Sequence, residues 1–227
     1  MKPSREGWAG LADNGTTDPA KAVPAALKFP KAIQGWIPEF VFLAVTTFVG
    51  LWARGRWFNP VGDAGIWWSL TERLSAGEKL YRDVYLQYGP FSPYLLSFGA
   101  RLFGRSAGYM IIANWVAAIA AGILLLRIAR RLLSELERLA VVGLLLTLSL
   151  FAPGAGPLVL PYAPAAVHAL ALSLGALLLL DGKGREQNKR TAVAGLLAGL
   201  AFAAKQEIGV AVQISLIAVI ISIRTSA

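Results

Sequence analysis

The sequence predicts an all-α, polytopic membrane protein with about six apolar helices. Hydrophobic residues make up 56% of the 227 positions and charged residues only 15%, whereas roughly a quarter of the residues in a soluble domain are charged. The apolar residues also form long blocks instead of alternating with polar ones, which is typical of helices surrounded by lipid. Mixed polar and aromatic residues are concentrated in one segment, residues 54–105.

Six apolar blocks are the candidate helices, and each is bounded by charged or Pro- and Gly-rich residues. They are residues 36–53, 106–126, 139–152, 163–180, 191–204 and 208–223. The last two are short for spans, so they form either two tilted helices or one re-entrant pair. Residues 1–35 have no apolar periodicity and are predicted to be a disordered basic tail, which leaves residues 36–227 as the membrane domain.

The short loops predict the orientation in the membrane. Four basic residues follow the second block (Arg127, Arg130, Arg131 and Arg138), and four follow the fourth block (Lys183, Arg185, Lys189 and Arg190). The connection at residues 153–162 has none. Because cytoplasmic loops are enriched in Lys and Arg, both basic loops and the N-terminus are predicted to be cytoplasmic. Residues 54–105 and 205–207 are then on the outer face.

Composition excludes several function classes. The chain has no cysteine, so disulfides, cysteine-ligated zinc and thiol nucleophiles are ruled out. Its net charge is +9, but no basic run is interleaved with stacking aromatics on a polar scaffold. Nucleic-acid binding is therefore not expected.

The outer segment begins with a predicted helix that lies along the membrane surface. Its apolar residues recur at helical spacing at Ile66, Trp67, Leu70 and Leu74. Gly77 is its predicted C-terminal stop. Asp63 stands at its N-terminus, where a carboxylate is either a helix N-cap or a functional group.

A second amphipathic helix follows, with Ser92 as its predicted N-cap and Gly104 as its end. Its apolar stripe comprises Phe91, Tyr94, Leu95, Phe98 and Leu102. The simplest role for this helix is to lie at the interface and position the next span.

Between these two helices lie Asp83, Tyr85, Gln87 and Tyr88. Polar and aromatic groups massed at a membrane surface suit a sugar or a lipid headgroup, although tyrosines also serve there as anchors.

Three further sequence features lie within or next to the predicted spans: a histidine, a lysine and a pair of glycines. His168, about one turn inside the fourth block, is either functional or hydrogen-bonded to a neighbouring helix. Lys205 is either a cap or an outward-facing cation for a lipid phosphate. Gly195 and Gly199 form a small-xxx-small pair, which predicts helix packing.

The order of these elements resembles a known superfamily. The run GDAGIWWSLTERLSAGEKLYRDVYLQYGPFSPYLLSFGARLFG between the first two spans, and the later AGLAFAAKQEIG, are similar to elements of GT-C glycosyltransferases that use polyprenyl- or dolichyl-phosphate sugars. Relatives include protein O-mannosyltransferases, lipid A aminoarabinose transferases and Rgt-type lipopolysaccharide glycosyltransferases. The resemblance covers residues 59–209, and it implies that this chain is the N-terminal part of such an enzyme.

The resemblance implies a role for each candidate residue. Asp63 matches the Asp at the sugar-transfer centre, as general base or acceptor-orienting group, although many relatives have Asp-Glu where this chain has Asp63 and Ala64. Lys205 matches a phosphate-contacting lysine, and His168 falls where some relatives carry a second acid. With Asp83, Tyr85, Gln87 and Tyr88, these two residues form the implied substrate-binding set.

The implied partners are a polyprenyl-phosphate sugar donor, membrane lipids, and an acceptor glycan, lipid or protein. No metal-ligand set is evident, and a divalent metal is left open. The expected location is the cell membrane, with multiple spans and a cytoplasmic N-terminus. Because such enzymes usually have more spans, the chain is expected to be incomplete.

Two alternative functions are considered: a transporter or flippase subunit, and a non-catalytic membrane scaffold. A transporter places polar groups at mid-bilayer on broken helices, whereas here they gather in the outer segment.

Overall fold

The structure, a computed structural model, describes residues 35–52, 61–151, 164–180 and 187–225, with the side chains of residues 220 and 222–225 excepted. The predicted tail and the predicted loop at residues 153–162 lie outside the described residues, apart from Gly35 of the tail.

The described residues are helical apart from short connections and one isolated β-bridge between Leu80 and Val84. The all-α prediction is therefore confirmed for this part of the chain. The helices are α1 (Ile37–Trp52), α2 (Asp63–Ser75), α3 (Phe91–Phe103), α4 (Ala107–Ala129), α5 (Glu135–Leu144), α6 (Pro164–Leu180), α7 (Gln187–Ala204) and α8 (Gln206–Thr225). A π-helical stretch, Leu145–Leu150, continues α5.

A helix occupies each of the six predicted apolar blocks. Only α4 among the described residues is long and apolar enough to cross a membrane on these two criteria alone. The segments Ile37–Trp52, Pro164–Leu180 and Gln206–Val219 are apolar but shorter. Six membrane spans, and the choice between two spans and a re-entrant pair for α7 and α8, therefore stay predictions.

The start of α5 lies earlier than the apolar block suggests. Ser134 and Glu137 form a capping box, in which each side chain bonds the backbone N–H of the other residue. The box satisfies two N–H groups that lack partners in the first helical turn. The helix therefore starts at Glu135 instead of near Leu139.

The C-terminal helices α6, α7 and α8 pack through small side chains. Ala194, Ala198 and Ala201 of α7 are fully or almost fully buried, and such residues let helix backbones approach closely. The predicted packing role of Gly195 and Gly199 is wrong, because a Cβ at either position would meet nothing within 4 Å. The packed face of α7 lies one residue away, on the alanines.

Helices α1, α4 and α5 form a second packing unit around Phe42, Leu126 and Val142. One end of this unit holds a buried ion pair, with Nη1 of Arg138 3.1 Å from Oε1 of Glu39. Arg138 also donates to the Gly35 carbonyl at 3.2 Å. Arg138, which the sequence analysis assigned to a basic loop, lies in α5 and is only 3% exposed.

Gly77 terminates α2 as predicted, two residues after its last helical residue, and two hydrogen bonds cap the helix there. The Glu78 N–H donates to the Arg73 carbonyl at 3.2 Å, and the Gly77 N–H donates to the Leu74 carbonyl at 3.1 Å. This is the Schellman arrangement, and the φ of +108° at Gly77 is the left-handed conformation that it requires. Arg101 of α3 adds donor groups to the carbonyls of Leu74 and Ser75, so α3 holds the C-terminal end of α2.

Helix α3 buries mainly small residues, together with Leu96, and exposes most of its large apolar residues. Ser92, Leu96, Ser97 and Ala100 are buried. The predicted stripe is exposed at Tyr94, Leu95, Phe98 and Leu102. This arrangement fits an interfacial helix with lipid on its outer side.

Ser92 is not the N-cap of α3 as predicted. The helix begins at Phe91, with Pro90 at the cap position. The Ser92 hydroxyl is instead buried against His168.

Candidate functional site

Asp63 is the first residue of α2, and its side chain is exposed. Gly62 is the N-cap, so the interpretation of Asp63 as the N-cap is wrong by one position. No hydrogen bond or ion pair joins the Asp63 carboxylate to any residue in the described part of the chain. A carboxylate that bonds no described residue, at the N-terminus of a helix, can contact a ligand.

A cleft of about 200 Å³ opens beside Asp63, and we call it the Asp63 cleft. It is lined by Asp63, Ile66, Trp67, Tyr85, Leu86, Gln87 and Tyr88. The cleft therefore brings Asp63 together with three residues predicted to bind substrate, namely Tyr85, Gln87 and Tyr88. Trp67 and Leu86 are buried beneath it, within an apolar cluster that also contains Met110 and Ala165.

An aromatic stack extends the Asp63 cleft towards Lys205. The rings of Trp67 and Tyr88 lie 5.9 Å apart with 12° between their planes. The Lys205 ammonium lies over the Tyr88 ring, 5.4 Å from its centroid, within the range of a cation–π interaction. No described carboxylate is paired with Lys205, so its positive charge is not neutralised by a described side chain.

Two glycines allow the backbone contacts that bring Lys205 to this place. A Cβ on Gly89 would overlap the Ala203 carbonyl at the end of α7. A Cβ on Gly209 would overlap the Phe202 backbone, where α7 and α8 meet on either side of Lys205. The loop that carries Tyr88 therefore lies directly against the α7–α8 junction.

The loop conformation before Tyr88 depends on Tyr81. Its hydroxyl donates to the Tyr88 carbonyl at 2.5 Å, and its N–H donates to the Val84 carbonyl at 2.7 Å. Tyr81 has a φ of +67°, in the left-handed region that is uncommon for a non-glycine residue. These contacts close residues 81–88 into a tight loop that presents Tyr85 and Tyr88 on one side.

Asp83 is placed in the loop but not in the cleft. Both of its carboxylate oxygens accept hydrogen bonds from Arg82, at 2.8 and 2.7 Å, and Oδ2 also accepts from the Lys79 N–H at 2.8 Å. The Arg82 hydrogen bonds, assisted by the Lys79 N–H, lower the pKa of Asp83 to about 2. Through these hydrogen bonds Asp83 stabilises the turn at residues 79–83.

His168 lies in α6 and does not line the Asp63 cleft. Its Nδ1 is 3.0 Å from the Ser92 hydroxyl, and its ring meets Phe91 edge-on with the centroids 6.5 Å apart. The residue is only 6% exposed. Two roles were considered for His168, a functional role and a hydrogen bond to a neighbouring helix. The structure shows the hydrogen bond, which joins His168 to Ser92 of α3.

No group of three or more His, Asp or Glu side chains that could hold a metal ion occurs within the ranges that the structure describes.

Sequence reasoning missed several residues of this region. Trp67 was assigned only to an apolar stripe, and nothing distinguished Tyr81 from the neighbouring tyrosines. Gly89 carried no recognisable signal either, because its partner Ala203 is 114 positions away. Helical spacing could have suggested that Trp67 lies one turn after Asp63.

Comparison with known proteins identifies the family of the chain. The family model of dolichyl-phosphate-mannose-protein mannosyltransferase matches residues 87–227. No curated protein and no solved structure matches the chain. The matched residues include Gln87, Tyr88, His168 and Lys205, whereas Asp63, Asp83 and Tyr85 precede them.

The match identifies a membrane-integral glycosyltransferase of the GT-C superfamily. The chain belongs to the dolichyl-phosphate-mannose-protein mannosyltransferase family. Members of this family use polyprenyl-phosphate sugar donors.

Proposed function

We propose that the protein transfers a sugar from a polyprenyl-phosphate donor to an acceptor hydroxyl at the outer face of the membrane. The observation that carries the proposal is that the Asp63 carboxylate, which bonds no described residue, shares a cleft with Tyr88, whose ring stacks on Trp67 and lies beneath the ammonium of Lys205. A carboxylate at one end and a cation at the other are the two charges that this reaction requires.

In the proposed step, the acceptor oxygen attacks the anomeric carbon of the donor sugar. A new carbon–oxygen bond forms, and the bond between the anomeric carbon and the phosphate oxygen breaks. Asp63 accepts the proton of the attacking hydroxyl. The polyprenyl phosphate leaves with the bonding electron pair, and Lys205 stabilises its negative charge.

The aromatic residues suit the sugar between these two charges. Tyr85 is 84% exposed at the rim of the cleft, and Gln87 is also exposed there. An exposed ring offers an apolar face to a sugar, and the Gln87 amide offers both donor and acceptor atoms to its hydroxyls. His168 and Asp83 support this surface indirectly, through Ser92 and through the turn before Tyr85.

Exchange of Asp63 for Asn tests the catalytic role. Asp63→Asn keeps the size of the side chain and removes the charge, so transfer from a polyprenyl-phosphate sugar should slow by about 10² to 10⁴-fold. The matched control is Glu72→Gln, a carboxylate on the same helix that does not line the Asp63 cleft. Equal transfer rates for the two variants would show that Asp63 is not the base.

Exchange of Lys205 for Ala tests the phosphate contact separately. A charge-assisted contact contributes about 1.5–3 kcal/mol, so Lys205→Ala should raise the KM for the lipid donor by roughly tenfold or more. The acceptor KM should stay unchanged, because the acceptor carries no phosphate in this scheme. A raised acceptor KM with an unaltered donor KM would contradict the assignment.

The orientation can be tested with single cysteines, since the chain has none of its own. Ala76, at the end of α2, and Asn188, in the first turn of α7, are both exposed. In intact cells a membrane-impermeant thiol reagent should label Ala76→Cys and not Asn188→Cys. The reverse pattern would place the Asp63 cleft on the cytoplasmic side.

A further inference from the structure

A second and larger cleft lies on the other side of Tyr85, with a volume of about 440 Å³. We call it the Arg73 cleft. It is formed by one face of α2 and by the loop residues Val84, Tyr85 and Leu86. Gly62, Gly65, Ser69 and Arg73 recur along that face at the three- and four-residue spacing of neighbours on a helix.

The two clefts meet at a shared wall. Ile66, Tyr85 and Leu86 line both of them. Tyr85 and Ile66 are 84% and 58% exposed, so their side chains stand between the clefts instead of packing into the core. A molecule in the Arg73 cleft would therefore lie next to one in the Asp63 cleft, separated only by these side chains.

The charges of the two clefts differ. The Asp63 cleft continues to Lys205, whose charge is not neutralised by a described side chain. Among the described residues that line the Arg73 cleft, Arg73 is the only charged one, and it is already paired with Glu78 at 2.6 Å. Arg73 also donates to the Asp83 carbonyl at 2.9 Å. The Arg73 cleft therefore suits a neutral ligand better than a phosphate.

The groups that line the Arg73 cleft are suited to a ring that carries hydroxyls. Gly62 and Gly65 leave the start of α2 without side chains, so that a flat ligand can approach the backbone of the first turn. The Ser69 hydroxyl and the Nη1 of Arg73 supply hydrogen-bond donors in this cleft, whereas the N–H groups of Gly65 and Ile66 already bond the Gly62 carbonyl. The Tyr85 ring supplies an apolar face.

From these observations we infer that the Arg73 cleft binds the acceptor as a neutral sugar ring, with its reactive hydroxyl directed past Tyr85 towards Asp63. The inference rests on the proposed transfer reaction and gives its acceptor a chemical class. The cleft volume lies within the range of about 300–1,000 Å³ that is usual for small-molecule sites, whereas the Asp63 cleft is smaller.

A binding measurement that needs no turnover tests this inference. The detergent-solubilised full chain is mixed with the methyl α-glycosides of mannose, glucose and galactose, and in parallel with a tripeptide that contains serine and threonine. Saturation-transfer-difference NMR then reports which probes contact the protein. We expect saturation of at least one glycoside and none of the peptide.

The variant Ser69→Trp tests whether the glycoside binds in the Arg73 cleft. Ser69 is an exposed helical residue in the cleft, so the larger side chain should fill the cleft without disturbing the core. The matched control is Ser215→Trp, an exposed helical serine on α8. Ser69→Trp should weaken glycoside binding at least tenfold, and Ser215→Trp should leave it unchanged.

Several results would overturn the inference: no glycoside binding, equal binding by the two tryptophan variants, or displacement of the glycoside by the peptide. Asp63→Asn separates this inference from the proposed reaction, because this variant should bind the glycoside normally and fail in transfer. Glycoside binding that is lost in Ser69→Trp, together with normal transfer by Asp63→Asn, would refute the proposed catalytic step and retain the sugar site.

Discussion

The contact between Gly89 and Ala203 offers a test of how the loop places Tyr88 beneath Lys205. In Gly89→Ala the new methyl group would overlap the Ala203 carbonyl, which belongs to the backbone and cannot rotate away. Gly89 does not have a positive φ, so the substitution introduces a steric effect and no strain from a left-handed backbone. The loop or the end of α7 must therefore move.

The size of this movement follows from ordinary contact distances. Non-bonded carbon atoms lie about 3.5–4.0 Å apart at their best separation, so the two backbones must separate by about 1 Å or more. Overpacking of this kind costs about 1–3 kcal/mol of stability. A displacement of about 1 Å at a reacting geometry can cost about 10²-fold in rate, and the Lys205–Tyr88 contact would be disturbed directly.

The assay compares Gly89→Ala with Gly195→Ala, in which the added methyl group meets nothing within 4 Å. Sugar transfer should fall by about 10²-fold in Gly89→Ala and stay at the level of the unaltered protein in Gly195→Ala. Thermal unfolding in detergent measures the accompanying loss of stability. If both variants had the same rate and the same melting temperature, the close approach of the loop to α7 would not position the site.

Three other predictions concern the surroundings of the site. Glu39→Gln leaves the Arg138 guanidinium buried without its carboxylate, so the free energy of unfolding should fall by about 3–5 kcal/mol; an unchanged denaturation midpoint would contradict the buried pair. The pKa of Asp83 should be about 2 by NMR titration, and Arg82→Gln should raise it towards 3.8. Since the folded-state pKa of Asp83 is the lower one, its contribution to stability is complete above about pH 4 and is lost as the pH falls towards 2. Tyr81→Phe removes the hydrogen bond to the Tyr88 carbonyl, and should raise the KM for the lipid donor without altering the melting temperature by more than a few degrees.

Much of the secondary structure followed from patterns within the sequence. The apolar blocks and their polar boundaries predicted a helix at each of six places, and Gly77 and Gly104 correctly marked the ends of α2 and α3. Boundaries were less accurate where hydrogen bonds made by polar side chains extend a helix beyond its apolar block, as Ser134 does at the start of α5.

The sequence alone also determined which residues could take part in a site, because mixed polar and aromatic residues are concentrated in residues 54–105. Only the tertiary structure decided which of them meet. Asp63, Tyr85, Gln87 and Tyr88 line one cleft, whereas the Asp83 carboxylate is used by Arg82 and His168 bonds Ser92. Such choices depend on hydrogen-bond partners that spacing along the chain does not specify.

Tertiary structure likewise decided which face of each helix packs against the rest of the protein. Periodicity showed that α3 has a large apolar stripe, but in a membrane protein the apolar stripe can face lipid while small residues face the protein. The same reasoning failed at Gly195 and Gly199, where the neighbouring alanines form the packed face. The contact between Gly89 and Ala203 depends on where two backbone segments that are far apart in the sequence approach each other. A local sequence pattern carries no information about how close they come.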